Sequence, residues 1–242
     1  LMLANNETGT IQPVREAAEL AHAHGTVLHC DAAQGAGKIA FDVDDLGADF
    51  LTVSGHKAYG PKGIGALSRR RRTPPLGMSP IIHGGGHEDG LRSGTPNVPG
   101  AVGLARALEI ARDELGGEIE RVKDLRDRLE GRIVGGVDGC TVNGSLAHRL
   151  PGTSNLSFAG IEGDALLASL PDIAVSTGSA CASHHPGASP VLRAMGVSKA
   201  LASASIRISL GRFTTRDETD LAAQRIIDEV TRLRGLSRRR RR

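Results

Sequence analysis

The feature that most constrains the fold is an alternation of helical and strand patterns along the first 70 residues. The stretch "PVREAAELAHAHG", 13–25, begins with a proline suited to a first helical turn and ends at a glycine suited to follow a helix. Short apolar runs follow at 26–30, 49–54 and 64–70. Strands separated by helices predict an α/β layer with a mainly parallel sheet.

Two of these predicted strands end in polar residues. The run "TVLHC" is followed by Asp31, and "DFLTVS" ends at Ser54, three residues before Lys57. In open α/β sheets, ligands gather at the carboxyl ends of the strands. We therefore expect Asp31 and the stretch from Ser54 to Lys57 to lie at one edge of the sheet.

The sequence pattern changes near residue 97. A long amphipathic pattern over 97–133 predicts a helix, with a break expected near Gly116–Gly117. We predict that 1–105 is part of a large domain and that 106–242 forms a connecting helix and a smaller C-terminal α+β domain.

The end of the chain predicts a final helix. Thr215 and Glu218 have the spacing of a capping box, in which each side chain bonds the other residue's backbone N–H. The predicted apolar face of this helix consists of Leu221, Ile227, Val230 and Leu233.

Composition excludes several classes of function. Aromatic residues make up only 2% of the chain, which argues against an RNA-stacking surface. No apolar run is long enough to span a membrane, and the start "LMLANNETGT" has no features of a secretion signal. Three cysteines without zinc spacing favour a reduced compartment, so we predict a cytoplasmic protein.

The net charge of +3 comes from two arginine runs. Removing the nine arginines of 69–72 and 238–242 leaves a net charge of about −6, so the body of the chain is mildly acidic. We interpret these runs as a solvated hairpin tip and a frayed tail, and predict no nucleic-acid partner.

The glycine-rich stretch "VSGHKAYGPKGIG", 53–65, does not match a phosphate loop, because Pro61 interrupts the required order of glycine and lysine. "HGGGH", 83–87, resembles an oxyanion segment of hydrolases, but the nucleophile motif G-x-S-x-G is absent. Neither 83–87 nor the pair His184–His185 has metal-ligand partners at suitable spacing, so we predict no resident metal site.

The remaining residues fit pyridoxal phosphate. A lysine amine such as that of Lys57 forms a Schiff base with an aldehyde cofactor, and a carboxylate such as Asp31 keeps the pyridine nitrogen protonated. Ser54 and His56 suit the phosphate, and Gln34 suits the ring phenolate. Asp31 as the cap of a following helix remains an alternative.

Six blocks in order resemble the cysteine desulfurases, fold type I pyridoxal-phosphate enzymes of the NifS and IscS kind. They are "ANNETG" (4–9), "HCDAAQ" (29–34), "SGHKAYGPKGIG" (54–65), "HGGGHEDGLRSGT" (83–95), "STGSACAS" (176–183) and "SIRISLGRFTT" (205–215). The resemblance covers essentially the whole chain and implies the aspartate-aminotransferase-like fold.

The resemblance assigns the cofactor residues as the chemistry does. Lys57 corresponds to the Schiff-base lysine, Asp31 to the partner of the pyridine nitrogen and Gln34 to the phenolate donor. Ser54 and His56 correspond to phosphate ligands.

The resemblance also assigns four residues outside that group. Asn6 corresponds to an asparagine near cofactor and substrate, and Arg207 to the arginine that binds the substrate carboxylate, a bidentate task. Thr95 corresponds to a threonine that reaches the phosphate of a neighbouring subunit, which implies a homodimer. Cys181 corresponds to the nucleophile that receives sulfur, and it is considered as a metal ligand only for a transient iron–sulfur cluster.

The other two cysteines suit structural roles. Cys181 lies among small residues, whereas Cys30 ends an apolar strand and has the pattern of a small buried hydrophobe. Cys140 is interpreted as structural or incidental. The reaction implied is removal of sulfur from L-cysteine, giving L-alanine and a Cys181 persulfide for an iron–sulfur scaffold or tRNA-thiolation protein.

Other functions remain open at this point. The chain begins inside the family pattern, so we expect it to lack the phosphate-binding turn and the ring-stacking histidine of the family's N-terminal part. We accordingly predict weak cofactor binding and little activity for the 242 residues alone. The alternatives are another fold type I enzyme, a selenocysteine lyase or aminotransferase, and a non-catalytic fragment of a desulfurase.

Overall fold

A computed structural model of the protein describes residues 1–177 and 188–240, with side chains described through residue 237. The chain forms two compact units. The first consists of Leu1–Leu3 and Gln12–Leu115, and the second of Ala4–Ile11 and Gly116–Arg242.

The first unit contains a three-stranded sheet in the order β1-β2-β3. Its elements are α1 (Val14–Ala23), β1 (His29–Asp31), α2 (Val43–Leu46), β2 (Phe50–Ser54), a 3₁₀ helix (Gly55–Ala58) and β3 (Gly65–Arg69). Strands β1 and β2 are parallel, as expected, whereas β3 is antiparallel to β2. The ten residues between β2 and β3 are fewer than the dozen or so that a parallel crossover requires, so the chain must reverse direction.

The core of the first unit is small and aliphatic. Its buried members are Leu3, Val14, Cys30, Ala32, Ala48 and Leu51. Cys30 has no exposed surface, which confirms its interpretation as a buried hydrophobe. This packing holds α1 against the strands, and polar residues occupy the carboxyl ends of β1 and β2 at Asp31 and Ser54.

The glycines of 53–65 shape the turn between β2 and β3. A Cβ atom at Gly65 would lie 2.6 Å from the Val53 carbonyl oxygen. A Cβ atom at Gly55 would lie 2.9 Å from the Pro61 carbonyl oxygen. Such separations are shorter than side chains tolerate, so these positions require glycine for close backbone approach.

The second unit contains an antiparallel sheet in the order β4-β5-β6. Its elements are β4 (Cys140–Val142), β5 (Thr153–Phe158), α4 (Gly163–Ala168), α5 (Pro190–Ala194), α6 (Lys199–Ser203), β6 (Ser205–Ser209) and α7 (Arg216–Arg240). The core that packs helices on this sheet includes Leu129, Ile133, Leu156, Phe158, Leu166, Ile206, Ile226 and Val230.

Helix α3 (Val98–Gly136) supplies residues to both units. The break expected at Gly116–Gly117 is wrong, because the helix continues through both glycines. A glycine inside a helix costs only about 1 kcal/mol relative to alanine, and tertiary packing of buried positions such as Val122 and Leu129 offsets that cost.

The predicted start of α7 is confirmed. The Glu218 carboxylate accepts hydrogen bonds from the Thr215 N–H at 2.8 Å and its hydroxyl at 2.9 Å, while the Glu218 N–H donates to Thr215 Oγ1. The bond from the Thr215 N–H holds the pKa of Glu218 below its usual value. The predicted apolar face is partly wrong, because Leu221 is 59% exposed and Ile226 is buried instead.

No helix in the described parts of the chain combines the length and apolar character needed to cross a membrane.

Candidate active site

Two predicted cofactor residues end neighbouring parallel strands. Asp31 is the last residue of β1 and Ser54 the last of β2. The register pairs Asp31 with Thr52, and the Ala32 N–H donates to the Thr52 carbonyl at 2.9 Å. Parallel strands lie about 4.8 Å apart, so both residues share one carboxyl edge of the sheet, as expected.

Lys57 lies just beyond this edge, in the 3₁₀ helix that follows β2. The side chain is half-buried, and within the described residues its amine makes no hydrogen bond or ion pair. The neighbouring His56 is exposed, and Ser54 precedes the helix without capping it through its hydroxyl. The Ser54 hydroxyl and the Lys57 amine are therefore both available to a ligand.

The residues after β1 are held in hydrogen-bonded turns. Asp31 Oδ1 accepts from the Ala33 N–H at 2.9 Å, and its other carboxylate oxygen has no protein partner in the described chain. Residues 33–38 form turns, so the helix that Asp31 would cap in the alternative interpretation is absent there. Lys38 donates to Gln34 Oε1 at 3.4 Å, which leaves the Gln34 amide nitrogen as a donor.

The two predicted substrate residues lie in the second unit and contact each other. Arg207, in β6, donates from Nη1 to the Asn6 carbonyl at 2.8 Å. Its Nε is buried and has no hydrogen-bond partner in the described residues. Buried guanidinium nitrogens are rarely left unpaired, and carboxylates are their best-matched ligands.

The turn that carries Asn6 is fixed by contacts that the sequence did not predict. Asn5 Oδ1 accepts from the backbone N–H groups of Glu7 and Thr8, both at 2.9 Å. Asn155 in β5 donates to the Glu7 carbonyl at 3.1 Å. The motif "ANNETG" signals this turn, but no sequence pattern signals its pairing with Asn155, which is 148 residues from Glu7.

The structure leaves three other predictions untested. Thr95 is exposed in the segment before α3. Cys181 and the pair His184–His185 lie outside the described residues. In the described residues, no group of three or more side chains could together hold a metal ion.

The two described cysteines are poor nucleophiles at neutral pH. Burial raises the pKa of the Cys30 thiol, and burial raises the pKa of Cys140 to about 11. Because the thiolate is the reactive form, both groups stay protonated and inert near pH 7.

We expect a thiol reagent to label Cys30 and Cys140 slowly in the native chain at pH 7, because burial keeps both thiols protonated. Labelling of Cys140 should accelerate by about tenfold per pH unit and level off only near pH 11, because the thiolate fraction grows in that proportion. Mass spectrometry of labelled peptides measures each site, with urea-denatured protein as the control. Rapid labelling of Cys140 in the native chain at pH 7 would contradict this expectation.

Residues 1–221 match the model of the aminotransferase class-V family. A protein named cysteine desulfurase IscS from Anaeromyxobacter sp. (strain Fw109-5) is 52% identical over 237 residues. One of the same name from Pseudomonas putida (strain W619) is 48% identical over 237 residues. Both alignments cover 98% of this chain, which spans only 58% of the length of either relative.

Solved structures show the same likeness. A NifS-like protein is 39% identical, with a TM-score of 0.84 over 96% of this chain and 60% of that one. The NifS-like protein from Rickettsia africae ESF-5 is 31% identical, with a TM-score of 0.83 over 95% of this chain and 61% of that one. These findings confirm the α/β, fold type I architecture with a partial large domain. The chain belongs to the aminotransferase class-V family.

Proposed function

We propose that the protein is a cysteine desulfurase, which takes sulfur from L-cysteine with the help of pyridoxal phosphate and leaves L-alanine. The observation that carries this proposal is the position of the Lys57 amine just beyond the strand edge formed by Asp31 and Ser54, where no described residue pairs with it. The resemblance of this chain to proteins named cysteine desulfurase supports it.

The donor set at this edge fits pyridoxal phosphate. Among the residues that the structure describes, one Asp31 carboxylate oxygen has no partner and could accept from a protonated ring nitrogen, and the Gln34 amide nitrogen could donate to a phenolate oxygen. Ser54 and His56 offer a hydroxyl and an imidazole to a phosphate, with Thr95 assigned to the phosphate of a second subunit. When bound, the cofactor supplies an electron sink for charge that develops at the substrate Cα.

Three residues of this chain have proposed roles in proton transfer and in binding the substrate. Lys57 would hold the cofactor covalently through its amine, and the same amine would move a proton at the substrate Cα. Arg207 binds the substrate carboxylate through Nε, which has no hydrogen-bond partner in the part of the chain that the structure describes. Asn6, whose carbonyl oxygen accepts a hydrogen bond from Arg207 Nη1, helps to orient the substrate.

Cys181 is the proposed sulfur acceptor. Its thiolate attacks the substrate sulfur, so that a sulfur–sulfur bond forms as the substrate's carbon–sulfur bond breaks. The electron pair of the broken bond goes to the substrate carbon, which is protonated on the way to alanine. Cys181 is left as a persulfide, and a sulfur-acceptor protein, an iron–sulfur scaffold or a tRNA-thiolation protein, removes that sulfur in the next step.

We propose that the protein acts as a homodimer in the cytoplasm. A cleft of about 810 Å³ in the first unit lies between β2, β3 and the segment 78–97. Its lining includes Ile81 and Ile82, which are 94% and 51% exposed. Contiguous exposed apolar surface of this kind is typical of protein interfaces, and the segment also carries Thr95.

The test is to supply pyridoxal phosphate and L-cysteine to the 242-residue chain, and to a chimera preceded by the N-terminal portion of the Anaeromyxobacter relative. Alanine release and the added mass of one sulfur atom on Cys181 are measured. We expect both products from the chimera and little from the 242 residues alone. Cys181→Ser should abolish the persulfide in the chimera.

The alternatives give different results. An aminotransferase would transfer its amino group equally well after Cys181→Ser. A selenocysteine lyase would prefer the selenium substrate and leave L-cysteine largely unused. A non-catalytic fragment would show no visible absorbance band from bound cofactor in either form.

A further inference from the structure

Glu7 is a buried carboxylate with no role in the reaction described above. Its residue is 3% exposed, and Ser189 donates its hydroxyl hydrogen to Glu7 Oε2 at 2.5 Å. The Ser189 hydroxyl also accepts from the Leu192 N–H at 3.2 Å and so caps α5. A single hydroxyl thus joins the start of α5 to a carboxylate 182 residues away.

Glu7 is held rigidly at its backbone. Its N–H is bound by Asn5 Oδ1, and its carbonyl is bound by the buried amide of Asn155 in β5. Asn143 donates to Asn155 Oδ1 and to Ser157 Oγ, both at 2.7 Å, which fixes the Asn155 side chain. A buried polar network that is well connected in this way restricts motion, so the Glu7 carboxylate is a fixed point of the second unit.

Asn6, the residue before Glu7, is connected through Arg207 to Ser176. Arg207 binds the Asn6 carbonyl, and the Arg207 backbone exchanges two hydrogen bonds with Ser176. Ser176 and Ser189 flank the sequence interval that contains Cys181. Two consecutive residues of one rigid turn are therefore connected to the two flanks of this interval. Asn6 is connected to Ser176 through Arg207, and Glu7 binds Ser189 directly.

We propose that Glu7 is a positioning residue that holds Ser189, and with it the C-terminal flank of the Cys181 interval, at a fixed place relative to Asn6 and Arg207. This inference rests on the proposed function, since it matters for catalysis only if Cys181 attacks a substrate held by Arg207. The proposed role of Glu7 involves no contact with either sulfur. Glu7 acts through Ser189, because a nucleophile misplaced by about 1 Å can lose on the order of 100-fold in rate.

Glu7→Leu separates positioning from helix capping, because it removes the contact with Ser189 and leaves the Ser189 cap of α5 in place. Ser189→Ala and Glu7→Leu remove the contact, whereas Ser189→Thr and Glu7→Gln keep a hydroxyl and an acceptor. Ser198→Ala is the matched control, because Ser198 caps the neighbouring helix α6 through the Leu201 N–H and makes no contact with Glu7. Loss of either serine cap costs α5 or α6 a similar amount, about 1 kcal/mol.

In the chimera described above, which is the form expected to be active, Ser189→Ala and Glu7→Leu should lower kcat for persulfide formation by roughly 10- to 100-fold. The KM for cysteine should change by less than about twofold, because Arg207 is untouched. Glu7→Gln and Ser189→Thr should recover most of kcat, and Ser198→Ala should behave like the parent protein. The double variant Glu7→Leu/Ser189→Ala should lose no more than either single variant, because both remove the same contact.

A second measurement does not depend on activity. Hydrogen exchange of the amides of α5 should accelerate in Ser189→Ala and Glu7→Leu of the 242-residue chain, and stay unchanged in Ser198→Ala. Exchange of α5 and a kcat in Glu7→Leu that both equal those of the parent protein would overturn the inference, because this variant removes the contact and keeps the Ser189 cap of α5. If no form releases alanine, the proposed function fails, while the exchange experiment still decides whether Glu7 anchors α5.

Discussion

Lys57→Ala, made in the chimera that carries the N-terminal portion of the Anaeromyxobacter relative, is expected to remove desulfurase activity and the visible absorbance band of bound cofactor with it. The amine of Lys57 makes no internal bond in the described chain, so its loss leaves the surrounding fold intact. Its proposed work is the covalent hold on the cofactor and a proton transfer at the substrate Cα. Loss of a positioned acid–base group alone costs on the order of 10²- to 10⁴-fold in rate, and loss of the covalent hold adds to that.

The matched control is Lys62→Ala, five residues along the same turn. Lys62 is exposed and lies after the 3₁₀ helix that carries Lys57. Removing it takes away the same charge and should leave activity and absorbance unchanged. Alanine release and an absorbance spectrum measure both variants. If Lys57→Ala kept the activity of Lys62→Ala, the assignment of Lys57 would be wrong.

Glu130→Ala is expected to destabilise the second unit by about 3–5 kcal/mol, the usual cost of removing one partner from a buried ion pair. The Glu130 carboxylate accepts from both terminal nitrogens of Arg149 at 2.8 Å and from the Ser154 hydroxyl at 2.6 Å. The Arg149 side chain is only 6% exposed, so the variant leaves a guanidinium buried without its bidentate partner. Asp127, 3.7 Å from Arg149, compensates only in part because it already binds Arg126.

Urea unfolding followed by circular dichroism measures this loss. Asp172→Ala is the control, because Asp172 forms a similar bidentate pair with Arg225 on the exposed surface. Water screens that pair, so its loss should matter far less. The double variant Glu130→Leu/Arg149→Met should recover most of the stability, since no charge is then left buried. A midpoint for Glu130→Ala close to that of Asp172→Ala would show that this pair does not stabilise the unit.

The cofactor edge could be predicted because its signals are local. An apolar run that ends in a polar residue marks both the strand and the place where the ligand binds, which explains why Asp31 and Ser54 were placed correctly at one edge. The capping box of Thr215 and Glu218 succeeded for the same reason, since all of its atoms belong to four consecutive residues.

The predictions that failed depended on context. Glycines weaken a helix locally, but the break expected at Gly116–Gly117 did not form, because packing along α3 outweighs a cost of about 1 kcal/mol per glycine. The buried face of α7 was set by its neighbours, so Ile226 is inside and Leu221 outside.

By itself, the sequence determined the α/β class, the order of the motifs and the chemical types of the proposed site residues, because each depends on residues close together in the chain. Only the tertiary structure decided that Arg207 binds the Asn6 carbonyl and that Glu7 binds Ser189. Such contacts join residues that are more than 180 positions apart. Their energy depends on burial and on the distance between atoms, and neither quantity exists until the chain has folded.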